Sequence, residues 1–238
     1  MRPHLIFGLF CCGSAFSACS SVPRPPITVP DAPRGVVQVI DFDALSVGSA
    51  PAGFRCSAPG PSNAKPARWE VQAISDAPSP GNVLIQADGD DANNRFPIAL
   101  VESVSLADVA VAVRARALSG VRDRSFGVVV RAVDDKNYYV ARANTSTWGE
   151  NIRFYKIVDG KRTELDEWEG AIPPGVWHQL EVTALGATFT ISLNGTPILT
   201  VTDSTFAAPG MAGVWTKAES ICQFDNLTIT PLTASAIK

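Results

Sequence analysis

Across residues 125–229 apolar side chains recur at every second position in short runs, and a turn rich in Gly, Asn or Asp closes each run. No 3.6-residue periodicity intervenes. The clearest alternation is residues 108–117, where Val109, Val111, Val113, Ala115 and Ala117 share one face and Arg114 and Arg116 the other. Phe126, Val128 and Val130 repeat the pattern, with Arg131 on the opposite parity. Residues 137–144 set Tyr139, Ala141 and Ala143 inward against Tyr138, Arg142 and Asn144. Asp159-Gly160 and Asn194-Gly195 each separate two alternating runs and supply the positive φ angles of a type I′ hairpin turn. Further strands are predicted at 36–43, 68–75 and 82–87, with a Pro/Gly-rich loop over 49–66. Strands spaced roughly 8–12 residues apart predict an all-β fold, an antiparallel β-sandwich of jelly-roll type. One such domain is expected over residues 35–232, followed by a tail at 233–238.

Composition narrows the class. The chain of 238 residues is 46% hydrophobic and carries a formal net charge of −3. A nucleic-acid partner, which would demand a concentrated basic surface, is therefore not expected. The first 18 residues read as an address: Arg2 and His4, then the apolar stretch Leu5-Ile-Phe-Gly-Leu-Phe-Cys-Cys12. Phe16-Ser17-Ala18-Cys19 resembles a bacterial lipobox, whose cysteine takes the lipid, and a plain secretory signal is the alternative. Five prolines in residues 20–34 make 19–34 an extended tether, at roughly 3 Å per residue. The expected location is thus extracytoplasmic, lipid-anchored in a bacterial envelope (Ser20 leans toward the outer membrane) or secreted. The only membrane contact expected is the lipid. In that compartment Cys56 and Cys222 form a matched pair, expected as a disulfide against the alternative of two unrelated thiols.

Several stretches carry a resemblance. Trp177-His178-x-Leu180-x-Val182, followed by a strand ending Leu193-Asn194-Gly195, resembles the laminin-G and concanavalin A-like lectin/glucanase sandwiches. Phe126-Gly-Val-Val-Val-Arg131, Asn137-Tyr-Tyr-Val140, Phe154-Tyr-Lys156, Asp159-Gly-Lys-Arg162, Gly210-x-x-Gly-Val-Trp-Thr-Lys217 and Phe224-Asp-Asn-Leu227 are similar, more specifically, to bacterial 3-keto-disaccharide hydrolase domains. The resemblance implies a concanavalin A-like fold and a saccharide ligand, with hydrolysis or lysis of oxidised glycosides as the enzymatic alternative. A structural or protein-binding envelope module is a third reading. Better-known members carry an Asn-Ser-Gly run where this chain has Arg124-Ser-Phe-Gly127.

Candidate chemistry falls in three places. Arg114, Arg116, Arg131, Tyr138, Arg142 and Asn144 share outward parity, and Trp148 and Trp215 are placed to flank them. Aromatic faces for C–H patches and planar polar groups for hydroxyls make this the expected carbohydrate surface. Glu164-Leu-Asp-Glu-Trp-Glu169 matches the acid-x-Asp-x-x-acid spacing of laminarinase-type strands. There Glu164 and Asp166 would share a face, a bulge would bring up Glu169, and carboxylates about 5 Å apart would suit a retaining mechanism. An exposed hairpin end is the competing reading. No cofactor is expected. The alternative, a loop Ca²⁺, would rest on Asp88, Asp90 and Asp91, although the loop departs from the EF-hand pattern. His178, on the parity of Leu180 and Val182, reads as a packed strand residue. Sugar identity and oligomeric state are not written in the sequence.

Overall fold

A computed structural model describes residues 26–29, 32, 34–147 and 149–233; the signal segment, Cys19 and Trp148 lie outside them. Fifteen strands follow in chain order. The first five are β1 (Gln38–Ile40), β2 (Phe54–Ser57), β3 (Trp69–Ile74), β4 (Gly81–Gln86) and β5 (Ile98–Val101). Next come β6 (Val109–Ser119), β7 (Ser125–Asp134), β8 (Asn137–Asn144), β9 (Asn151–Val158) and β10 (Lys161–Glu169). The last are β11 (His178–Leu185), β12 (Thr188–Leu193), β13 (Thr196–Thr202), β14 (Met211–Thr216) and β15 (Ile221–Pro231). They form two antiparallel sheets. One runs β13-β12-β11-β6-β15-β4-β3, with β1 also paired to β15; the other runs β10-β9-β8-β7-β14-β5-β2. The predicted sandwich is what the chain builds. Two strands escaped the sequence pattern: β2 lies inside the stretch expected to be loop, and the four-residue β5 is too short to show alternation.

The alternating residues make the core. Val109, Val111, Val113, Ala115 and Ala117 of β6 meet Phe126, Val128, Val130, Tyr139, Ala141 and Ala143 of β7 and β8. An aromatic block of Tyr139, Phe154, Phe189 and Phe206, with centroids 4.5 to 5.8 Å apart, fills the β12 side. Each fully buried side chain of this size contributes about 1.5–3 kcal/mol. Both predicted tight turns have the required backbone: φ is +50° at Asp159 and +74° at Gly160, +50° at Asn194 and +80° at Gly195.

Two irregularities move side chains that parity alone misplaces. At Arg131 φ is +51° and the β7–β8 register slips between Val130 and Asp134. The Arg131 guanidinium consequently turns to the end of the sandwich, donating to the carbonyls of Ala107 (2.6 Å), Gly186 (2.6 Å) and Phe206 (3.3 Å). The second slip, in β10, lies between Glu164 and Asp166, with Leu165 packed against the core.

Candidate functional site

The expected arginine surface divides between two sheets. Arg114 and Arg116 sit on β6, in the eight-stranded sheet, whereas Tyr138, Arg142, Asn144 and Trp215 belong to the seven-stranded sheet. Arg116 is tied into its own sheet by Asp76 (2.6 and 2.9 Å), Gln223 (2.7 Å) and the Trp177 ring at 4.7 Å. Arg131 is the end-closing residue already described. The seven described residues of the predicted eight therefore do not form one surface. Parity separates inside from outside but does not say which sheet a strand joins.

The outer face of the seven-stranded sheet has an apolar half and a polar half. In the apolar half Trp215 donates its indole N–H to Tyr138 Oη at 3.1 Å, and Phe96 stacks on Trp215 at 5.5 Å. Both Trp215 and Tyr138 are completely buried, so neither offers a ring to a ligand. The cover is a pair of loops, residues 58–68 and 87–97, clamped by the fully buried Arg95. Its guanidinium donates to Lys65 O (2.9 Å), Pro66 O (3.2 Å) and Ala218 O (3.2 Å) and pairs with Asp88 at 2.7 Å. This clamp accounts for the acidic loop. Asp88 and Asp90 face Arg95 and backbone N–H groups, while Asp91 lies 3.9 Å from Arg122. Among the described residues no group of three or more His, Cys, Asp or Glu could hold a metal ion.

The polar half lies on β8–β10 in cross-strand rows. Val140, Tyr155 and Glu164 make one row, Arg142, Arg153 and Glu167 the next, and Asn144, Asn151 and Glu169 the third. Like charges directly opposite each other, as Arg142 and Arg153 are, destabilise a sheet unless each finds a counter-ion. Arg153 has two: Glu167 at 2.7 Å and Glu164 at 3.3 Å. Although burial works against it, the bond to Glu167 holds Arg153 above the ordinary arginine range. Arg142 has none. It is 5% exposed, its Nη2 donates to the neutral Asn151, and its Nε is buried with no acceptor. Burial, joined by the charges of Arg162 and Arg153, pushes its pKa down, yet a guanidinium keeps its proton. Several kcal/mol is the usual order of cost for an ion buried without compensation.

Tyr155 lies between two guanidinium groups, 4.6 Å below that of Arg162 and 5.9 Å from that of Arg142. Its hydroxyl oxygen lies against the Arg153 guanidinium, which can only donate, so no acceptor meets the hydroxyl proton, and Arg162 Nη1 is likewise buried without an acceptor. Arg162 also rests on Phe96 at 5.7 Å. On the far side of Phe96 opens a cleft of about 390 Å³, lined by Pro59–Pro61, Asn93, Asn94, Lys136 and the Asp159-Gly160 turn. The sequence reading found Arg142 and Asn144 but missed Tyr155, Arg153, Arg162 and Asn151. Residues 152–158 read as an ordinary hairpin strand, and only the cross-strand register reveals what they face.

The β10 carboxylates do not form the expected pair. Because of the bulge, Glu164 aligns with Tyr155 on the outer face, whereas Asp166 aligns with the core residue Phe154. Glu164 and Asp166 therefore point to opposite sides. Glu167, on the outer face, binds Arg153 and Asn151. His178 is a packed residue, as read: Nε2 lies 3.0 Å from Pro173 O and the ring stacks on Phe126. The expected disulfide is not formed. Cys56 is an exposed thiol on the edge strand β2, while Cys222 is buried on β15 and directs its sulfur at Ser125 O of β7 (3.4 Å), with β14 and β5 between β7 and β2.

No family model matches the chain, and no curated protein matches its sequence. Solved structures do match in fold. A carbohydrate-binding module, CBM66, from Bacillus subtilis superposes with a TM-score of 0.54 at 21% identity, covering 72% of this chain and 99% of the module. The exoplasmic/lumenal domain of VIP36, in a Ca²⁺- and mannose-bound form, gives 0.57 at 10% identity over 85% and 92% of the two chains. Domain 4 of AbnA, an extracellular arabinanase of Geobacillus stearothermophilus solved with arabinotriose, gives 0.52 at 12% identity over 86% and 95%. The chain has the lectin-like sandwich fold these proteins share.

Proposed function

We propose that this protein is an extracytoplasmic saccharide-recognising domain, and that the ligand sits on the outer face of the seven-stranded sheet. The observation that carries this reading is a cleft of about 390 Å³ walled by Phe96, on which Arg162 rests, while Arg162 and, in the rows beyond it, Tyr155 and Arg142 carry buried polar hydrogens that no protein acceptor meets. Ligand hydroxyls and carbonyls are the groups that would satisfy such atoms. Asn93, Asn94, Lys136 and Asp159 supply further donors and acceptors around the cleft, and Phe96 an apolar wall. Similarity of fold to a carbohydrate-binding module and to sugar-bound lectin-like domains supports the same reading.

The test is a glycan array followed by titration calorimetry, with released sugar monitored. Binding that weakens in Asn94→Ala and Lys136→Ala supports recognition at the cleft. Binding indifferent to both moves the ligand elsewhere, and turnover of a 3-keto disaccharide would favour the hydrolase that the motifs resemble. The Arg2 start, the apolar stretch and Phe16-Ser17-Ala18-Cys19 support attachment to a bacterial envelope through lipid on Cys19. Labelled palmitate should enter the wild-type chain in a Gram-negative host and be absent from Cys19→Ala.

A further inference from the structure

The polar half of the outer face has an uneven distribution of charge. Three arginines converge there, and the carboxylates within salt-bridge distance, Glu164 and Glu167, both go to Arg153. Arg142 and Arg162 have no carboxylate within 4.0 Å among the described residues. Both guanidinium groups carry a buried N–H without an acceptor, and both lie against the ring of Tyr155, whose hydroxyl proton also meets no acceptor. A neutral sugar could fill the hydrogen-bonding capacity but would leave the buried charge of Arg142 uncompensated. A carboxylate does both at once. It is acceptor-only, planar and anionic, and it matches the fork of a guanidinium. Arg162 comes from the row beyond Tyr155, next to the Asp159-Gly160 turn, and lies across the tyrosine ring between Phe96, which walls the cleft, and the row of Arg142.

We infer that Arg142, Arg162 and Tyr155 form a carboxylate subsite, so that the ligand is an acidic glycan with a uronate residue placed beside a sugar held in the Phe96 cleft. This deepens the saccharide reading and rests on it. Arg162 swings off Tyr155 to admit the carboxylate and then closes over it, giving the anion two guanidinium partners and one hydroxyl donor. Arg153, already neutralised by its glutamates, holds the floor in register.

The test compares uronate oligosaccharides of pectic, alginate and glucuronate type with their carboxyl-reduced forms, which differ only by replacing each carboxylate with a hydroxymethyl group. At least one uronate series should bind ten times more tightly or better than its reduced partner, and Arg162→Gln should erase most of that ratio. Arg142→Gln should erase it too. Should that buried variant fail to fold, as judged by thermal unfolding, the half-exposed Arg162→Gln and Tyr155→Phe decide the matter. Equal affinity for acidic and reduced forms overturns the carboxylate subsite but leaves saccharide recognition standing. A uronate preference that survives Arg162→Gln and Tyr155→Phe unchanged also overturns it. No binding to any member of either series overturns the carboxylate subsite, and the saccharide reading then stands or falls with the glycan array.

Discussion

Replacing Arg95 by Met removes one charge of similar length from beneath the two loops that wall the cleft. Three carbonyls, those of Lys65, Pro66 and Ala218, lose their donors, and Asp88 loses an ion pair of 2.7 Å. Each hydrogen bond from a charged donor contributes about 1.5–3 kcal/mol, but simple summation overstates the loss because the guanidinium no longer needs desolvating. Breaking one side of a buried pair costs about 3–5 kcal/mol. For a domain of this size each kcal/mol lowers Tm by about 2–4 °C, so a fall of roughly 6–20 °C is expected in calorimetry. Arg122→Met is the control. That side chain is 67% exposed and 3.9 Å from Asp91, and its loss should move Tm by no more than about 2 °C. Asp88→Asn should cost less in the Arg95→Met background than in wild type, since the ion pair is already gone there while the bonds from Arg68 N and Gln86 Nε2 are common to both. A Tm for Arg95→Met within about 3 °C of wild type, or an Asp88→Asn cost equal in the two backgrounds, would refute the clamp.

Three other outcomes follow from the same geometry. Tyr155→Phe removes a buried hydroxyl whose proton has no acceptor, so unfolding in urea should show unchanged stability or a gain of about 1 kcal/mol; a loss larger than that would mean the proton is satisfied. In a chain trimmed of residues 1–25, a thiol reagent should modify the exposed Cys56 in the folded protein, slowly at neutral pH because partial burial and Glu102 push its pKa up to about 11, and Cys222 only after denaturation, because burial hides it as well as raising its pKa. Failure to detect two thiols under denaturing, non-reducing conditions would restore the bridge. Asp203 accepts from Lys156 Nζ (2.8 Å), Tyr139 Oη (2.5 Å) and Thr205 N (2.8 Å). Burial opposes its ionisation, yet these bonds outweigh burial and hold the carboxyl below the usual range. A depressed folded-state pKa stabilises above the unfolded value of about 3.9 and fades as pH falls through the folded one. Asp203→Asn should therefore be less stable than wild type at neutral pH, with the gap narrowing below about pH 4. A constant gap in urea titrations down to about pH 2.5 would contradict the assignment.

Period-2 alternation revealed most of the fold, because a residue such as Val111 or Ala141 can lie between two sheets only if its neighbours do not. Asp159-Gly160 and Asn194-Gly195 were equally legible, since few dipeptides tolerate two consecutive positive φ angles. The site was less so, for three physical reasons. Arg114 and Arg131 have the same outward parity on β6 and β7, yet consecutive strands here enter different sheets. One extra residue reverses parity, as Leu165 does between Glu164 and Asp166 and as the Arg131 bulge does in β7. Finally, loops such as 58–68 and 87–97 have no period at all, so nothing in the sequence announced that Arg95 would fasten them over Trp215 and Tyr138. Among the described residues of the expected surface, Arg142 and Asn144 alone reach the polar cluster, through undisturbed register on β8.

The bridge between Arg34 and Leu232, with Gly35 N donating to Pro231 O at 2.8 Å, brings both flanks of the sandwich to a common corner. That corner belongs to the eight-stranded sheet, through β1 and β15, while the cleft opens from the opposite layer. Whatever support either flank is joined to, whether a surface, a neighbouring module or a chromatography bead, stands behind the sheet that carries the cleft and leaves the cleft's approach clear. The same proximity makes a short peptide joining 34 to 232 a practical way to close the chain into a ring without disturbing the cleft.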